Sequence, residues 1–285
     1  MPELPEVETI RRDLEKKILH KRISVVNILE TKTVRGKAPL FLSVLKNNSF
    51  IKIDRIGKLM IFKLEKNNLA MLSHLKMTGQ LIYEDKNKII IGGHDEKKKI
   101  IPQNPHTRVI IIFKDKSRLY FNDMRKFGYL EIVNQKQLEN IIAKYGIEPG
   151  LKNFTLKNLI DVFRNKKTSV KAVLLDQNLI AGIGNIYADE ILFSAGVKPD
   201  RLGFELTQKE IKKIHEASLC IIKKAIKYRG TTFNNYVDSE GKQGGFYKLL
   251  KIYDRKGEKC YRCKSIIEKT RIAGRGTYYC PKCQK

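Results

Sequence analysis

At 285 residues, 42% of them hydrophobic and 31% charged, the chain has the composition of a globular protein with room for a sizeable core and for two domains. Its 57 Lys+Arg against 30 Asp+Glu give a formal net charge of +27, far beyond what solubility needs, and point to a polyanionic partner. No run of 18 apolar residues is present, and the acidic, proline-bearing start lacks the basic-then-apolar order of a signal peptide, so a cytoplasmic protein with no membrane partner is expected.

The opening MPELPEVET places Pro2, Pro5, Glu3, Glu6 and Glu8 around the start of a helical pattern, Val7, Ile10, Leu14 and Ile18. Pro5 suits a first turn, and Glu6 and Glu8 complement the positive end of the helix dipole. From about Ile23 to Val133 the period shortens. FIKIDRIGKLMIFKLEK, LAMLSHLKMTGQLIYE and RVIIIFKDKSRLYFNDMRKFGYLEIV are β-branched and aromatic runs broken by Asn67-Asn68 and by 114–117, which predicts antiparallel strands in a sandwich or barrel. Lys58, after Gly57 inside one such run, reads most simply as an outward-facing strand lysine.

Past Gln135 the helical period returns in LENIIAKYG, breaks at Pro149-Gly150, and resumes in FTLKNLIDVFRNKK and VKAVLLDQ. Thr207 to Glu210 forms a capping-box pattern opening a long helix that runs toward Gly230, with a two-stranded tail after it. The expected partition is 1–135 for an N-terminal β-sandwich lobe, 136–150 for a linker, 151–250 for a helical lobe and 251–285 for a small terminal module.

That module carries Cys260, Cys263, Cys280 and Cys283 in the pattern C-x2-C-x16-C-x2-C. Two tight thiolate pairs at this spacing close one tetrahedron around zinc, and four sulfur ligands leave no open position, so one structural zinc ion is expected. From Lys251 to Lys285 eleven Lys/Arg stand against three Asp/Glu, which suits a hairpin lying on phosphates; a solvated basic tail is the plainer alternative.

PELPEVET, Gly57-Lys58, SHLKMTG, DMRKFG, LLDQNLIAGIGNIYADE and the four-cysteine module, in this order and spanning the chain, resemble the formamidopyrimidine-DNA glycosylase family. PELPEVE is closer to that branch than to the endonuclease VIII branch, which typically begins PEGPE. The resemblance implies an α+β fold of two lobes: an N-terminal β-sandwich with an N-terminal helix, and a helix-two-turn-helix lobe with a β-hairpin zinc finger. It implies a monomer, nucleoid-associated, that removes oxidised purines such as 8-oxoguanine and formamidopyrimidines from double-stranded DNA and then cuts the strand by β,δ-elimination.

On this resemblance Pro2 becomes the nucleophile once Met1 is removed. A terminal amine near pKa 7.7 to 8.0 is partly neutral at physiological pH, and a secondary amine attacking the anomeric carbon gives an iminium that acidifies the C2′ proton. Glu3 matches the acid that helps open the sugar, Lys58 the lysine assigned to proton transfer, and Arg275 the finger arginine credited with the second elimination. Met77, Arg125 and Phe127 match a wedge that fills the gap left by an extruded base. His106, Lys166 and Asn185 match DNA-contacting positions. Simpler readings remain for each, including a helix cap for Pro2, a dipole-complementing carboxylate for Glu3, core packing for Met77 and Phe127, a satisfied loop histidine for His106 and solvated cations for Lys166 and Arg275.

The chain departs from the family pattern at Met124 and Lys126, where DPRRFG is usual, and in TTFNNYVDSEGKQG around Asn234 and Asn235. These changes bear on base preference. The competing functions are an endonuclease VIII-like glycosylase for oxidised pyrimidines and a zinc-finger DNA-binding protein without catalysis; the latter predicts loss of Pro2, Glu3 or Lys58, and all three are present.

Overall fold

The computed structural model describes residues 1–85, 89–93, 103–231 and 245–285, the stretch 89–93 by its backbone alone. Helix α1 (Leu4–Ile18) starts with Pro5 in its first turn and buries Val7, Ile10, Leu14 and Ile18, the stripe its periodicity predicts. Ten strands and two helices follow: β1 (Ile23–Ile28), β2 (Val34–Arg35), α2 (Ala38–Leu45), β3 (Phe50–Ile56), β4 (Leu59–Leu64), β5 (Leu69–His74), β6 (Gly79–Glu84), β7 (Ile89–Gly93), β8 (Thr107–Phe113), β9 (Arg118–Asp123), β10 (Tyr129–Asn134) and α3 (Gln135–Ile142).

The strands form two five-stranded sheets, β1-β8-β9-β6-β7 and β2-β10-β5-β4-β3, antiparallel except for the β2–β10 pair. One core joins them: Ile23, Leu81, Val109, Phe113 and Phe121 from the first sheet, Phe50, Ile53, Met60, Phe62 and Met71 from the second, with the apolar stripe of α1. This is the expected sandwich. Within the strand-rich stretch, α2 is a helix that the β-branched and aromatic composition conceals; Pro39 opens it, and Phe41 and Leu45, one turn apart, are its buried contacts.

The later elements are α4 (Leu156–Phe163), α5 (Val170–Leu175), α6 (Asn185–Ala195), α7 (Gln208–Lys227) and a hairpin of β11 (Glu268–Ile272) and β12 (Arg275–Tyr279). Thr207 and Glu210 make the capping box that opens α7: Thr207 N donates to Glu210 Oε2 at 2.8 Å and Glu210 N to Thr207 Oγ1 at 3.3 Å.

The chain divides into two compact units, 1–143 with 228–247, and 144–227 with 248–285. The return of 228–231 to the first unit is held by α1. Glu6 Oε1 accepts from Thr231 N at 2.7 Å and Thr231 Oγ1 at 3.1 Å, and Arg229 pairs with Asp13. Gly230 is required there, because its φ is +84° and an added Cβ would lie 2.5 Å from Glu6 Oε1.

Candidate functional site

Chain termini are usually frayed, yet every residue from Pro2 to Ile10 is buried. Glu3 is the extended N-cap of α1, and its backbone N–H donates to Glu6 Oε2 at 2.9 Å, so Glu6 fixes the entry of the chain and, through Thr231, its surroundings. Glu8 accepts from three guanidinium groups, Arg11, Arg12 and Arg55, at 2.6–3.1 Å. Burial alone would raise its pKa; the hydrogen bonds and charge of these arginines prevail and hold the carboxyl at about 2. The acids of the opening therefore have separate duties. Glu6 and Glu8 are framework, and Glu3 stands beside Pro2 at the tip.

Lys58 is not an outward strand residue. With Gly57 it forms the two-residue turn between β3 and β4, closed by the Ile56–Leu59 pair, and it is only 5% exposed. Gly57 takes φ +54° at the first turn position, where such a hairpin needs glycine. Leu59 pairs in turn with His74 at the end of β5. His74 Nδ1 accepts the Lys76 N–H at 3.0 Å, which leaves the ring proton on Nε2, and the imidazole stacks on Tyr129. Burial first, then the charges of Lys76, Lys58 and Arg35, pushes its pKa down to about 3, so the ring is a neutral donor at physiological pH. His74 lies inside SHLKMTG, where its two-residue spacing from Lys76 is the local signal for this contact.

The turn bearing Met77 and the loop bearing Arg125 and Phe127 are joined by a shared clamp. Asp123, fully buried, accepts from Thr78 Oγ1 and Arg125 N on one carboxylate oxygen and from Gly128 N at 2.7 Å on the other. Thr78 Oγ1 also accepts from Arg125 N at 3.0 Å, so the turn bearing Met77 and the loop bearing Arg125 share one hydrogen-bond centre. Phe127 is 55% exposed with the Arg125 guanidinium 4.7 Å from its ring centroid, and Met124 beside them is 53% exposed. Core packing is thus excluded for Phe127, while Met77 is half-buried. Lys126, one of the departures, pairs with Glu30 at 2.6 Å and ties down the far side of the loop. The exposed His106 adjoins it, since its backbone carbonyl accepts the Asp123 N–H at 2.8 Å. Asn234 and Asn235 lie outside the described residues.

In the second unit, Gln177 folds the AGIG turn, accepting from Gly182 N and donating to Ile183 O, both at 2.9 Å, and Gly184 caps α6 with no side chain of its own. Asn185, first residue of α6, donates through Nδ2 to Gly276 O at 3.0 Å and so adjoins Arg275. Arg275 is exposed at the mouth of the β11–β12 hairpin, whose turn residues Ala273 and Gly274 both have positive φ. Lys171 and Asp189, both 0% exposed, pair at 2.6 Å. Lys171 Nζ also reaches Thr277 Oγ1 at 2.8 Å, and Asp189 Oδ2 accepts Tyr278 N at 3.0 Å. Burial drives the Asp189 pKa up to about 7 against the pull of Lys171. Glu190 accepts the backbone N–H groups of Lys251, Ile252 and Tyr253 at 2.9–3.0 Å. Lys166 is half-buried between α4 and α5, its Cβ so close to Gly203 that any larger residue there would clash.

The four Sγ atoms of Cys260, Cys263, Cys280 and Cys283 lie within 4.8 Å of one another, with two pairs at 3.4 and 3.9 Å. A tetrahedron of zinc–sulfur bonds of about 2.3 Å has edges of about 3.8 Å, so the cluster fits one zinc ion with no position left for substrate. Behind it, Phe193 of α6 packs with Ile252, Ile267 and Tyr278.

Family models agree with this arrangement along the chain. The formamidopyrimidine-DNA glycosylase N-terminal domain matches residues 1–130, the H2TH domain of that enzyme matches 145–237, and a zinc finger found in FPG and IleRS matches 257–285. Formamidopyrimidine-DNA glycosylases of Ligilactobacillus salivarius and Desulfitobacterium hafniense are 37% and 38% identical over the whole chain and 99% and 100% of their own lengths. The chain belongs to the formamidopyrimidine-DNA glycosylase family. The Lactococcus lactis Fpg solved in complex with abasic-site DNA is 32% identical, covers 99% of each chain and superposes with a TM-score of 0.89. Membership makes this a DNA glycosylase of base-excision repair with a helix-two-turn-helix domain and a structural zinc finger. Among the described residues no helix is long and apolar enough to cross a membrane.

Proposed function

We propose that this protein excises oxidised purines from duplex DNA and cuts the strand at the resulting site, with Pro2 as nucleophile after Met1 is removed. The observation that carries the reading is the buried, hydrogen-bonded tip: Pro2 and Glu3 sit at the head of a helix whose framework carboxylates are already engaged. With Met1 attached the Pro2 nitrogen is an amide and cannot attack; freed, it is a secondary amine. Its lone pair forms the bond to C1′ as the bond to the base breaks, and Glu3 serves as the acid that opens the sugar. The iminium then draws electrons from the C2′–H bond, the proton leaves, and the 3′ phosphate departs; a second elimination releases the 5′ phosphate. Lys58, buried at its turn beside the neutral His74, handles the first of these proton transfers, and Arg275 acts in the second elimination and on phosphate.

Arg125 and Phe127 serve as the wedge, held stiff by Asp123 and Thr78, with Met77 as the apolar filler and Met124 as an added exposed apolar group specific to this loop. His106, Lys166 and Asn185 take backbone phosphates, for which the +27 charge supplies the field. Zinc keeps the Arg275 hairpin in shape.

One relative, the Lactococcus lactis Fpg, has been solved with DNA containing an oxidised pyrimidine, which makes a wider lesion range the second reading. Incision of otherwise identical duplexes carrying 8-oxoguanine, a formamidopyrimidine or an oxidised pyrimidine decides between them. Faster cutting at the purine lesions is expected; preference for the pyrimidine would overturn the assignment.

A further inference from the structure

We propose that Arg55 is a positioning residue for the strand-cutting step, setting Lys58 against the N-terminal helix with one guanidinium group that holds Glu8 and Gly57 together. The inference rests on the reading above, in which Pro2 attacks and Lys58 moves a proton.

Arg55 stands near the end of β3. Its Nε donates to Glu8 Oε2 at 3.0 Å and its Nη1 donates to the Gly57 carbonyl at 3.1 Å, and the Arg55 and Glu8 side chains are each only 10% exposed. The Gly57 carbonyl belongs to the same peptide group as the Lys58 nitrogen. The second bond therefore fixes the plane from which the Lys58 side chain departs, at a turn already set by the positive φ of Gly57. The first bond ties that plane to α1, the helix that Pro2 and Glu3 open. Arg11 makes a parallel tie, from Glu8 to the Ile53 carbonyl at 3.0 Å, but does so farther back along β3.

Stability and position are thus separable. Glu8 keeps Arg11 and Arg12 as cationic partners whatever happens to Arg55, so no carboxylate is left buried and unpaired. Among the described contacts, only Arg55 joins Glu8 to the Gly57 carbonyl. Lysine at this position keeps the charge opposite Glu8 but, lacking the planar fork, cannot hold both acceptors in fixed directions. A displacement of about 1 Å in a reacting group is enough to cost about 100-fold in rate.

The test uses full-length protein with Met1 removed, acting on duplex DNA with a preformed abasic site. Arg55→Lys should slow single-turnover strand cleavage by at least about tenfold, without lowering the borohydride adduct, because the iminium forms before Lys58 moves its proton, while duplex affinity and melting temperature stay at wild-type values. In a Lys58→Ala background the same substitution should add nothing, because Arg55 acts through Lys58. Wild-type cleavage by Arg55→Lys, a loss matched by weaker binding or lower melting temperature, or a further tenfold loss on top of Lys58→Ala would each overturn the proposal. If the unsubstituted protein forms no adduct at Pro2, the underlying chemistry fails as well; an adduct in the wild type with an unaffected Arg55→Lys refutes the positioning role alone.

Discussion

Two hairpins in this molecule each present one cation at a two-residue turn, Lys58 within the turn and Arg275 just after it, and they are supported in different ways. The β3–β4 turn offers Lys58 from within a ten-stranded sandwich, buried and bound to α1 through Arg55 and Glu8. The β11–β12 turn offers Arg275 from a sheet of only two strands, exposed at its tip. An isolated two-stranded hairpin is marginal in water. The second turn therefore borrows its order from the four thiolates, the Lys171–Asp189 pair and the Glu190 carboxylate. Remote substitutions should therefore silence Arg275 while leaving Lys58 in place.

The largest effect is expected from taking the zinc away. Structural zinc contributes about 10–16 kcal/mol of apparent binding free energy in small modules, so chelation or Cys280→Ser should unfold the finger and abolish damage-specific binding. The β-sheet circular dichroism of the sandwich should persist. Full incision by metal-free protein would show that the finger needs no metal.

Next in size, Lys171→Met should destabilise the second unit by about 3–5 kcal/mol above pH 7, where Asp189 is ionised in the unsubstituted protein and loses its cation, and by less at lower pH, where the carboxyl takes up a proton. Denaturant unfolding followed by probes in each unit checks this, and combining the change with Asp189→Asn should recover part of the loss. Equal destabilisation of both units would contradict the separation.

On the sandwich side, the exposed loop of Arg125 and Phe127 comes next. Replacing Arg125 and Phe127 by alanine should slow excision of a base from duplex, by about 1–3 kcal/mol in barrier for lost stacking, and spare a preformed abasic site. Both side chains are exposed or on an exposed loop, so melting temperature should not move. Parallel losses on the two substrates would assign these residues to general binding instead.

The last contrast is in pH dependence, where the two regions should respond in opposite directions. Glu8 has its folded pKa below the usual 4.5, at about 2, so its stabilising contribution is complete above about 4.5 and is lost as pH falls toward 2. Asp189 is raised from 3.8 to about 7, so its contribution is complete below 3.8 and is lost as pH rises through 7. Melting curves across this range should show an acid slope that Glu8→Gln flattens and a slope toward neutrality that Asp189→Asn flattens. Interchanged effects would contradict the environments described for the two acids.

Much of this was legible in the sequence because its signals are local. The stripe of α1, the capping box at Thr207, the paired cysteines and the strings around Lys58, Arg125 and Asn185 each lie within a few residues of one another. What stayed hidden depends on distant partners or on burial. Glu8 meets Arg55 47 residues away, Thr78 meets Asp123 45 away, and Lys171 meets Thr277 106 away. In a chain with 57 basic residues no pattern marks Lys171 or Arg55 as buried rather than solvated. Helix α2 was concealed for a different reason: Phe41, Leu42, Val44 and Leu45 suit a strand as well as a helix, and only the packing of Phe41 and Leu45 on one core decides.

The central claim is that the nucleophile is the free imino group of Pro2, and borohydride trapping tests it most directly. Protein with Met1 removed, mixed with abasic-site duplex and borohydride, should yield a covalent protein–DNA adduct that maps to Pro2. The same chain carrying Met1 or any N-terminal extension should give no adduct while still binding the duplex with the steep salt dependence expected of a +27 protein. An adduct formed by the extended chain, or one mapping to Lys58 in the processed chain, would contradict the account.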